Sequence, residues 1–270
     1  MASGQLTVGL VAELWRYPVK SMLGERIEAA EVTARGLAGD RAYALLDVAS
    51  GRVVSAKSPR HWRRMFELRA SYEGEPSPEG LSPALVTFPD GSSMATEEEE
   101  LAGRLSSELG RTVEVISEAP EGARYRTLPL AQVEGDETEM PLLNGFFDTM
   151  PLHLLATGTL EHLGSLYPEG RFEVERFRPN VLIKTPAGES GFVDNGWIGK
   201  TIAIGDARLR VMAPMVRCVM TTLPQGELPG DPGILKTAGQ HNNANVGVCV
   251  MVAQGGRVRV GDAVELVDSG

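Results

Sequence analysis

The chain has 270 residues, 42% of them hydrophobic, and it carries a formal net charge of −10. Its length and composition fit one large or two ordinary globular domains. The acidic balance argues against nonspecific binding to nucleic acid or to anionic membranes, because both require a positive surface field. No apolar run approaches the roughly 20 residues that span a bilayer, and residues 1–7 lack the pattern of a signal peptide. We therefore expect a cytoplasmic protein with neither a nucleic-acid nor a membrane partner.

The first third of the chain predicts strands separated by turns. Residues 6–17 are rich in Val and Leu, residues 26–33 alternate in polarity, and residues 41–48 follow a Gly-Asp turn. Each of these patterns is typical of a strand. Residues 71–83 are rich in Gly, Pro, Ser and Glu, which predicts an exposed loop.

A helix followed by a strand is predicted next. Thr96 is a candidate N-cap, Glu99 completes a capping box, and the helix extends to about Leu109. Gly110 suits the end of the helix, and residues 112–116 predict a returning strand.

The polar segment 118–140 contains proline and predicts an irregular link between two halves. We therefore expect one domain at residues 1–120 and a second at residues 121–270. After the link, residues 152–166 carry apolar side chains at helical spacing, which predicts an amphipathic helix that lies on a sheet.

From residue 180 onward the chain predicts mostly strands. Residues 202–211 and 258–267 each predict a hairpin with a Gly-Asp turn. Many short strands and few helices indicate a mainly β, barrel-like fold with a few added helices, which is a β-rich α+β architecture.

Cys218 is the most informative side chain, because Arg217 precedes it. A thiol beside a fixed positive charge is biased toward thiolate, the form that ligates metals and attacks electrophiles. Without that neighbour, a cysteine in an apolar segment is more often a small buried hydrophobe, and this is our interpretation of Cys249. Two cysteines cannot supply a four-cysteine iron–sulfur cluster. The four histidines lack metal-ligand spacing, which disfavours zinc.

A second polar cluster lies upstream of this thiol. Arg176, Arg178 and Asn180 alternate along the chain, so an extended segment would place them on one face. Two guanidinium groups on one face can clamp an oxyanion, and their planar donors suit a ring edge and a terminal phosphate. The alternative is a pair of exposed strand arginines that form ion pairs with carboxylates.

These stretches resemble the MOSC superfamily, which is named after the C-terminal domain of molybdenum cofactor sulfurases. The motifs occur in the order seen there: RFRPN at 176–180, GWIG at 196–199, Arg217-Cys218 with trailing threonines, and VGDAV at 260–264. The N-terminal third resembles the β-barrel domain that precedes MOSC in one branch, through YPVKS at 17–21 and GLAGDR at 36–41. The combined pattern is similar to the amidoxime-reducing branch.

The resemblance implies a molybdenum cofactor, whose metal is carried by a pyranopterin. Cys218 would supply the thiolate ligand to molybdenum, and Asp148 would bond to the cofactor or deliver a proton. The resemblance places nine further residues at the cofactor: Lys20, Ser21, Arg41, Thr149, His153, Arg176, Arg178, Asn180 and Arg217. Without the resemblance, Lys20 would be an ordinary solvated lysine and His153 a histidine satisfied at a helix start.

The implied activity is the two-electron reduction of small N-hydroxylated compounds, amidoximes or hydroxylamines, by a molybdenum-dependent enzyme. Electrons would come from a separate donor of the ferredoxin, flavoprotein or cytochrome b5 type. One alternative is a sulfur-carrier or cofactor-handling protein that uses Cys218 as a persulfide site. A third interpretation is a cofactor-free binding module. Binding of pyridoxal phosphate stays undecided, and residues 225–240 show no pattern that we can assign.

Overall fold

The computed structural model describes residues 6–142 and 145–267. Residues 1–5 and 268–270 lie outside these ranges. They include the predicted start of the first domain, the predicted end of the second, and five of the seven residues that lack a signal-peptide pattern. Within the described ranges the strands are β1 (Leu6–Arg16), β2 (Glu25–Ile27), β3 (Ala29–Thr33), β4 (Gly36–Leu37), β5 (Ala44–Asp47), β6 (Arg52–Val53), β7 (Arg69–Ser71), β8 (Leu85–Thr87), β9 (Ser93–Ala95), β10 (Val113–Ile116), β11 (Arg124–Thr127), β12 (Thr138–Pro141), β13 (Leu152–Ala156), β14 (Val181–Lys184), β15 (Thr201–Ile204), β16 (Ala207–Val216), β17 (Asn245–Gln254), β18 (Gly256–Arg259) and β19 (Ala263–Val267). The helices are α1 (Pro59–Trp62), α2 (Leu101–Leu109), α3 (Thr157–Leu166), α4 (Val174–Phe177) and α5 (Pro232–Asn242), with 3-10 helices at Arg63–Glu67, Val193–Trp197 and Val219–Thr222.

Seven strands form a closed barrel in the order β14-β13-β17-β16-β15-β19-β1, which closes where β1 pairs with β14. In that antiparallel pairing Leu14 lies opposite Val181. The register between β1 and β19 shifts at Gly9, where a Cβ atom would lie 2.4 Å from the carbonyl oxygen of Lys184. Branched apolar side chains fill the interior of the barrel. The predicted mainly β, barrel-like fold with few helices is therefore confirmed.

The first strand of the chain thus completes a barrel whose other strands come from the C-terminal half. A separate core in the N-terminal half contains Phe66 and Leu105, and the same core takes in Cys218 and Met220 from the C-terminal half. The two halves therefore share both a barrel and a core, and Cys218 lies where they meet. The predicted division at residue 120 stays a prediction.

The predicted helix at 152–166 is wrong in its first five residues. Residues Leu152–Ala156 form β13, in which every residue is buried, and β13 pairs in parallel with β14. A strand buried on both faces shows no alternation of polarity, so its leucines also match helical spacing. Helix α3 begins at Thr157, and its Leu163 packs against Leu155 and Leu182 outside the barrel.

The predicted extended segment that carries Arg176, Arg178 and Asn180 is also wrong. Helix α4 covers Val174–Phe177, and Arg178 ends it in the left-handed conformation with a φ of 50°. The three side chains therefore do not share one face of a strand.

Helix α2 starts later than predicted. Its N-cap is Glu100, while the hydroxyl of Thr96 accepts a hydrogen bond of 3.0 Å from the backbone N–H of Ala84. The proposed capping box of Thr96 with Glu99 is therefore wrong. The predicted end at Gly110 is confirmed by its left-handed φ of 69°, and the strand that follows is β10.

Of the two predicted hairpins, the one at 202–211 is confirmed as β15 and β16. Residues 258–267 do not form one, because β18 pairs with β3 while β19 pairs with β15 and β1. The segment 118–140 is not wholly irregular, since β11 and β12 pair with each other. Among the described helices, none is long and apolar enough to cross a membrane.

Candidate functional site

The thiol of Cys218 lies in the turn that ends β16. The cysteine is 7% exposed and packs in the core that both halves share. Its carbonyl oxygen accepts hydrogen bonds from the N–H of Thr221 at 3.2 Å and from the hydroxyl of the same residue at 3.0 Å. One of the trailing threonines of the motif therefore fixes the backbone of the cysteine through its carbonyl oxygen, without using the thiol.

Arg217 lies beside this thiol with part of its hydrogen-bonding capacity unused. One terminal nitrogen donates to the carbonyl oxygen of Phe177 at 2.7 Å. Its Nε is buried and has no hydrogen-bond partner among the described residues. Burial lowers the pKa of Arg217 to about 10, although Cys218 and Tyr17 act in the opposite direction. Arg217 as a whole is half-buried, but a buried N–H without a partner is costly unless an acceptor reaches it.

Two more guanidinium groups share the ring of Tyr17. The Arg178 guanidinium carbon lies 4.1 Å from the ring centre, and that of Arg41 lies 5.1 Å from it. Arg178 also donates to the carbonyl oxygen of Met22 at 2.6 Å, whereas Arg41 forms an ion pair with Asp40. Burial, together with nearby Arg41, lowers the pKa of Arg178 to about 10 despite the opposing effect of Tyr17.

Asp148 joins two buried lysines that come from the N-terminal half. Lys20 forms an ion pair with one of its carboxylate oxygens, and the ammonium nitrogen of Lys57 lies 3.0 Å from the other. Both ammonium groups also face the ring of Tyr125, at 5.1 and 5.3 Å. Burial alone would raise the pKa of Asp148, but Lys20 and Lys57 outweigh it, so the pKa is lowered.

Lys57 lies among these candidate residues, although the sequence did not single it out. It is 8% exposed. Burial alone would lower its pKa, but Asp148, Cys218 and Tyr125 together raise it. The only signal in the sequence was its position in Val53-Val54-Ser55-Ala56-Lys57-Ser58, a run of small and apolar residues in which a solvated lysine is unexpected.

These side chains make a cationic cluster, which we define as Lys20, Arg41, Lys57, Arg178 and Arg217. Within the described ranges, the carboxylates in direct contact with the cluster are Asp40 and Asp148, so five cations face two anions there. Arg178 and Arg217 make their hydrogen bonds with carbonyl oxygens instead of carboxylates. The net positive charge of the cluster would suit this boundary to an anionic ligand.

Arg176 is structural in this arrangement. Its side chain is fully buried. Its guanidinium donates to four backbone carbonyl oxygens, those of Arg171, Thr221, Leu223 and Pro229. These bonds tie α4 to the segment that follows Cys218, and they leave little capacity for a ligand.

Asn180 and His153 connect neighbouring strands. The Asn180 amide donates to the carbonyl oxygen of Trp15 at 3.3 Å and to Asp40 at 3.1 Å, while its oxygen accepts from the backbone N–H of His153 at 3.1 Å. The His153 ring bonds to the carbonyl oxygen of Val246 at 3.1 Å. Burial and the charge of Arg217 hold the pKa of His153 well below its usual value, so the ring is neutral.

The remaining predicted residues, Ser21 and Thr149, lie in different environments. Ser21 is 4% exposed, has a φ of 68°, and its hydroxyl accepts from the backbone N–H of Ala56 at 3.1 Å. Ser21 thereby holds in place the segment after β6 that carries Lys57. Thr149 follows Asp148 and is exposed.

The donor set fits an anionic, metal-bearing cofactor better than a bare metal ion. Among the described residues, no group of three or more His, Cys, Asp or Glu side chains could hold a metal ion. One thiol stands beside buried cations and the unpaired Nε of Arg217. Such a set suits a metal that arrives with most of its ligands in an organic, phosphorylated group.

Two family models match the chain: the MOSC domain at residues 143–265 and the MOSC N-terminal beta barrel domain at residues 8–99. The chain is 26% identical over 234 residues to mitochondrial amidoxime-reducing component 1 of Mus musculus and 25% identical over 236 residues to that of Homo sapiens. Each match covers 80% of this chain and 66% of the relative, so the chain spans just under two thirds of those proteins.

Among solved structures, the YUAD protein from Bacillus subtilis is similar, with a TM-score of 0.51 and 11% sequence identity. The similarity covers 99% of this chain and 100% of that one. At this identity it shows a common fold alone.

Proposed function

We propose, on the premise that this chain is a MOSC-domain protein with an N-terminal MOSC β-barrel domain, that it binds a molybdenum cofactor and reduces N-hydroxylated compounds. The excess of buried positive charge around the thiol of Cys218 carries this proposal. In a chain of net charge −10, a buried local excess of cations is costly unless an anion balances it. A phosphorylated, metal-bearing cofactor would balance the charge and use the thiol.

Each part of the cofactor has a matching group in the protein. Cys218 would be the protein ligand of molybdenum, because soft metal centres prefer thiolates. The planar forks of Arg178 and Arg217 would bond to phosphate or to the pterin edge, and Lys20 and Lys57 would add point charges. When bound, the cofactor supplies the two-electron chemistry at the N–O bond.

The Lys20–Asp148 pair would deliver protons to the substrate. Asp148 is held as a carboxylate by its two lysines, so it is a poor acid near neutral pH. Burial and the charge of Lys57 lower the pKa of Lys20, despite the opposing effect of Asp148. We therefore assign proton donation to Lys20 and its orientation to Asp148. Direct donation by Asp148, as the sequence suggested, stays a prediction.

The substrate class and the electron donor are part of this proposal. The relatives named as amidoxime-reducing components support N-hydroxylated substrates. The chain contains two cysteines, which is too few for a four-cysteine iron–sulfur cluster that could pass electrons to the site. Cys249 lies buried in the barrel wall and donates a hydrogen bond to the carbonyl oxygen of Ala213 at 3.3 Å. We therefore include a separate electron donor of the ferredoxin, flavoprotein or cytochrome b5 type. A cytoplasmic location stays a prediction.

The sulfur-carrier alternative is less compatible with the geometry. A persulfide that is handed to another protein needs an accessible sulfur, whereas Cys218 is 7% exposed. The cofactor-free alternative leaves the excess positive charge of the cationic cluster unbalanced, because Asp40 and Asp148 are its only carboxylate contacts among the described residues.

The test is to purify the protein from two matched hosts, one able and one unable to make molybdenum cofactor. We expect up to one molybdenum per chain from the first host, and folded, metal-free protein from the second. The loaded protein should reduce benzamidoxime with reduced methyl viologen as an artificial donor. Stoichiometric zinc or iron in place of molybdenum would refute the cofactor assignment. Bound molybdenum without turnover, together with a transferable persulfide, would favour the carrier.

A further inference from the structure

A cavity of about 240 Å³ lies in the N-terminal half, beside the turn that joins β5 to β6. None of the residues that line it belongs to the cationic cluster or to the proposed cofactor site. The side chains that define its chemistry are Asp47, Arg52, His61, Trp62, Arg111 and Arg126. We call it the β5–β6 cavity.

The charges around the β5–β6 cavity do not balance. Arg52 and Arg126 both approach the same carboxylate oxygen of Glu139, with Arg126 at 3.9 Å, and Arg124 lies 3.5 Å from the other oxygen. One carboxylate therefore serves three guanidinium groups. Arg52 and Arg126 line the cavity, whereas their partner Glu139 does not.

The third lining arginine, Arg111, is held by contacts with two other lining residues. One terminal nitrogen of Arg111 donates to Asp47 at 3.0 Å, and its guanidinium carbon lies 5.2 Å from the ring centre of Trp62. Asp47 is 4% exposed and also accepts a hydrogen bond from the hydroxyl of Ser50 at 2.5 Å. Trp62 is 6% exposed. The Nε of Arg111 is buried and has no hydrogen-bond partner among the described residues.

Together these groups form a preorganised, positively charged recess in a chain whose net charge is −10. Three arginines and one carboxylate, Asp47, line it. Glu139 and Glu137 contact the lining residues Arg52 and His61 without lining the cavity themselves. Planar guanidinium forks match the oxygen geometry of phosphate, and a stacked, ion-paired arginine loses little side-chain entropy when a ligand arrives. The cavity volume of about 240 Å³ is below the range of about 300–1,000 Å³ that is typical of sites for drug-sized ligands. A ligand of this cavity would therefore be a small one.

We propose that the β5–β6 cavity is a binding site for a small phosphate-type oxyanion, either free phosphate or a short phosphomonoester. Arg52, Arg126 and Arg111, whose guanidinium lies over the ring of Trp62, would bind the oxyanion. The site is independent of the proposed cofactor, so it should function in protein that contains no molybdenum.

The test uses protein from a host that cannot make molybdenum cofactor, titrated with sodium phosphate at constant ionic strength. Titration calorimetry should show saturable binding to one site per chain. The fluorescence of Trp62, one of three tryptophans, should change in parallel. Trp62→Phe should abolish the fluorescence change, which shows that the signal comes from the tryptophan that lines the cavity. A second titration with glycerol 3-phosphate separates the two sources, because the tighter ligand identifies whether the site serves free phosphate or a phosphomonoester.

The variants Arg52→Gln and Arg126→Gln should each weaken binding by at least about tenfold, the effect of one lost charge-assisted contact. Arg63→Gln is the matched control. Arg63 is exposed and adjacent to Trp62 in sequence but does not line the cavity, so phosphate affinity should not change. Wild-type affinity in the Arg52→Gln/Arg126→Gln double variant, or a response to phosphate that sodium chloride reproduces at equal ionic strength, would overturn the proposal. Both outcomes leave the molybdenum assignment untouched.

Discussion

The ammonium nitrogen of Lys57 lies 3.0 Å from Oδ2 of Asp148, and this ion pair joins the strand end after β6 to the segment that precedes β13. It is one of two ion pairs on the same carboxylate, the other being that of Lys20. One carboxylate between two buried ammonium groups leaves an unbalanced positive charge at the boundary of the two halves. We therefore expect Lys57, which the sequence did not single out, to contribute to cofactor binding.

Replacing Lys57 with Met should therefore lower cofactor content while the chain still folds. Methionine keeps most of the apolar volume, and Asp148 retains Lys20 as a partner. The loss of one charge-assisted contact should reduce molybdenum and pterin content by about tenfold under limiting cofactor. The control is Lys200→Met, because Lys200 is exposed. Equal molybdenum content in both variants, at equal protein loading, would remove Lys57 from the site.

Arg176 and Arg178 should behave differently although they are two residues apart. Arg176→Ala leaves four carbonyl acceptors without their buried donor, and it should lower the free energy of unfolding by about 3 kcal/mol. Arg178→Ala should mainly lower cofactor content, by roughly ten- to a hundredfold. Arg178→Lys should restore little of it, because an ammonium lacks the planar fork.

Denaturant unfolding of the cofactor-free proteins separates the two effects. Arg178→Ala should unfold closer to the wild-type midpoint than Arg176→Ala. The opposite order, or full molybdenum content in Arg178→Ala, would contradict the assignment of Arg178 to the cofactor.

The two cysteines give the sharpest comparison of a ligand with a core residue. Cys218→Ala should abolish amidoxime reduction, and Cys218→Ser should be little better, because an alcohol is a weaker ligand that stays protonated near neutral pH. Some cofactor can stay bound through its phosphate and ring contacts. Cys249→Ala should keep activity and lose about 1 kcal/mol of stability. Molybdenum content and rate are measured together for each variant. Full activity in Cys218→Ala would rule out the ligand assignment.

The sequence predicted the class of fold, because short strands with turn residues form a local pattern that indicates the barrel. Arg217 next to Cys218 is also a local pattern, and the role of this thiol stays a prediction. The sequence misplaced the start of α3 because β13 is buried on both faces and its leucines show no alternation. It also assigned Arg176 to a ligand, since nothing local shows that carbonyl oxygens from distant segments meet that guanidinium.

Lys57 shows that a sequence can also leave a residue out when its contacts come from a distant segment. A lysine becomes a site residue here through its contact with Asp148, which is remote in sequence. Such pairings depend on how the two halves pack together, and a single sequence does not specify that packing. The order of the motifs could place Lys20 at the site only through family resemblance.

Asp194 should make stability depend on pH in an unusual direction. Its side chain is fully buried, and one oxygen accepts from the backbone N–H of Ala156 at 3.4 Å, at the start of α3. The other oxygen has no hydrogen-bond partner among the described residues. Burial outweighs these hydrogen bonds and raises the pKa of Asp194 to about 6.

The direction of the pH effect follows from proton binding. Well below about pH 4 the carboxyl is protonated in both the folded and the unfolded chain, so it imposes no penalty. As the pH rises toward 6, the unfolded chain releases the proton while the folded chain retains it, and stability falls. Above about pH 6 the penalty is complete, at up to about 3 kcal/mol.

The variant Asp194→Asn tests this effect, because it keeps an acceptor for the Ala156 N–H and cannot ionise. We therefore expect the difference in unfolding free energy between Asp194→Asn and wild type to grow from pH 4 to pH 6.5 and then level off. Urea unfolding of cofactor-free protein at several pH values measures this difference directly. A difference that is constant over the range would show that the carboxyl titrates at its ordinary pKa in the folded chain.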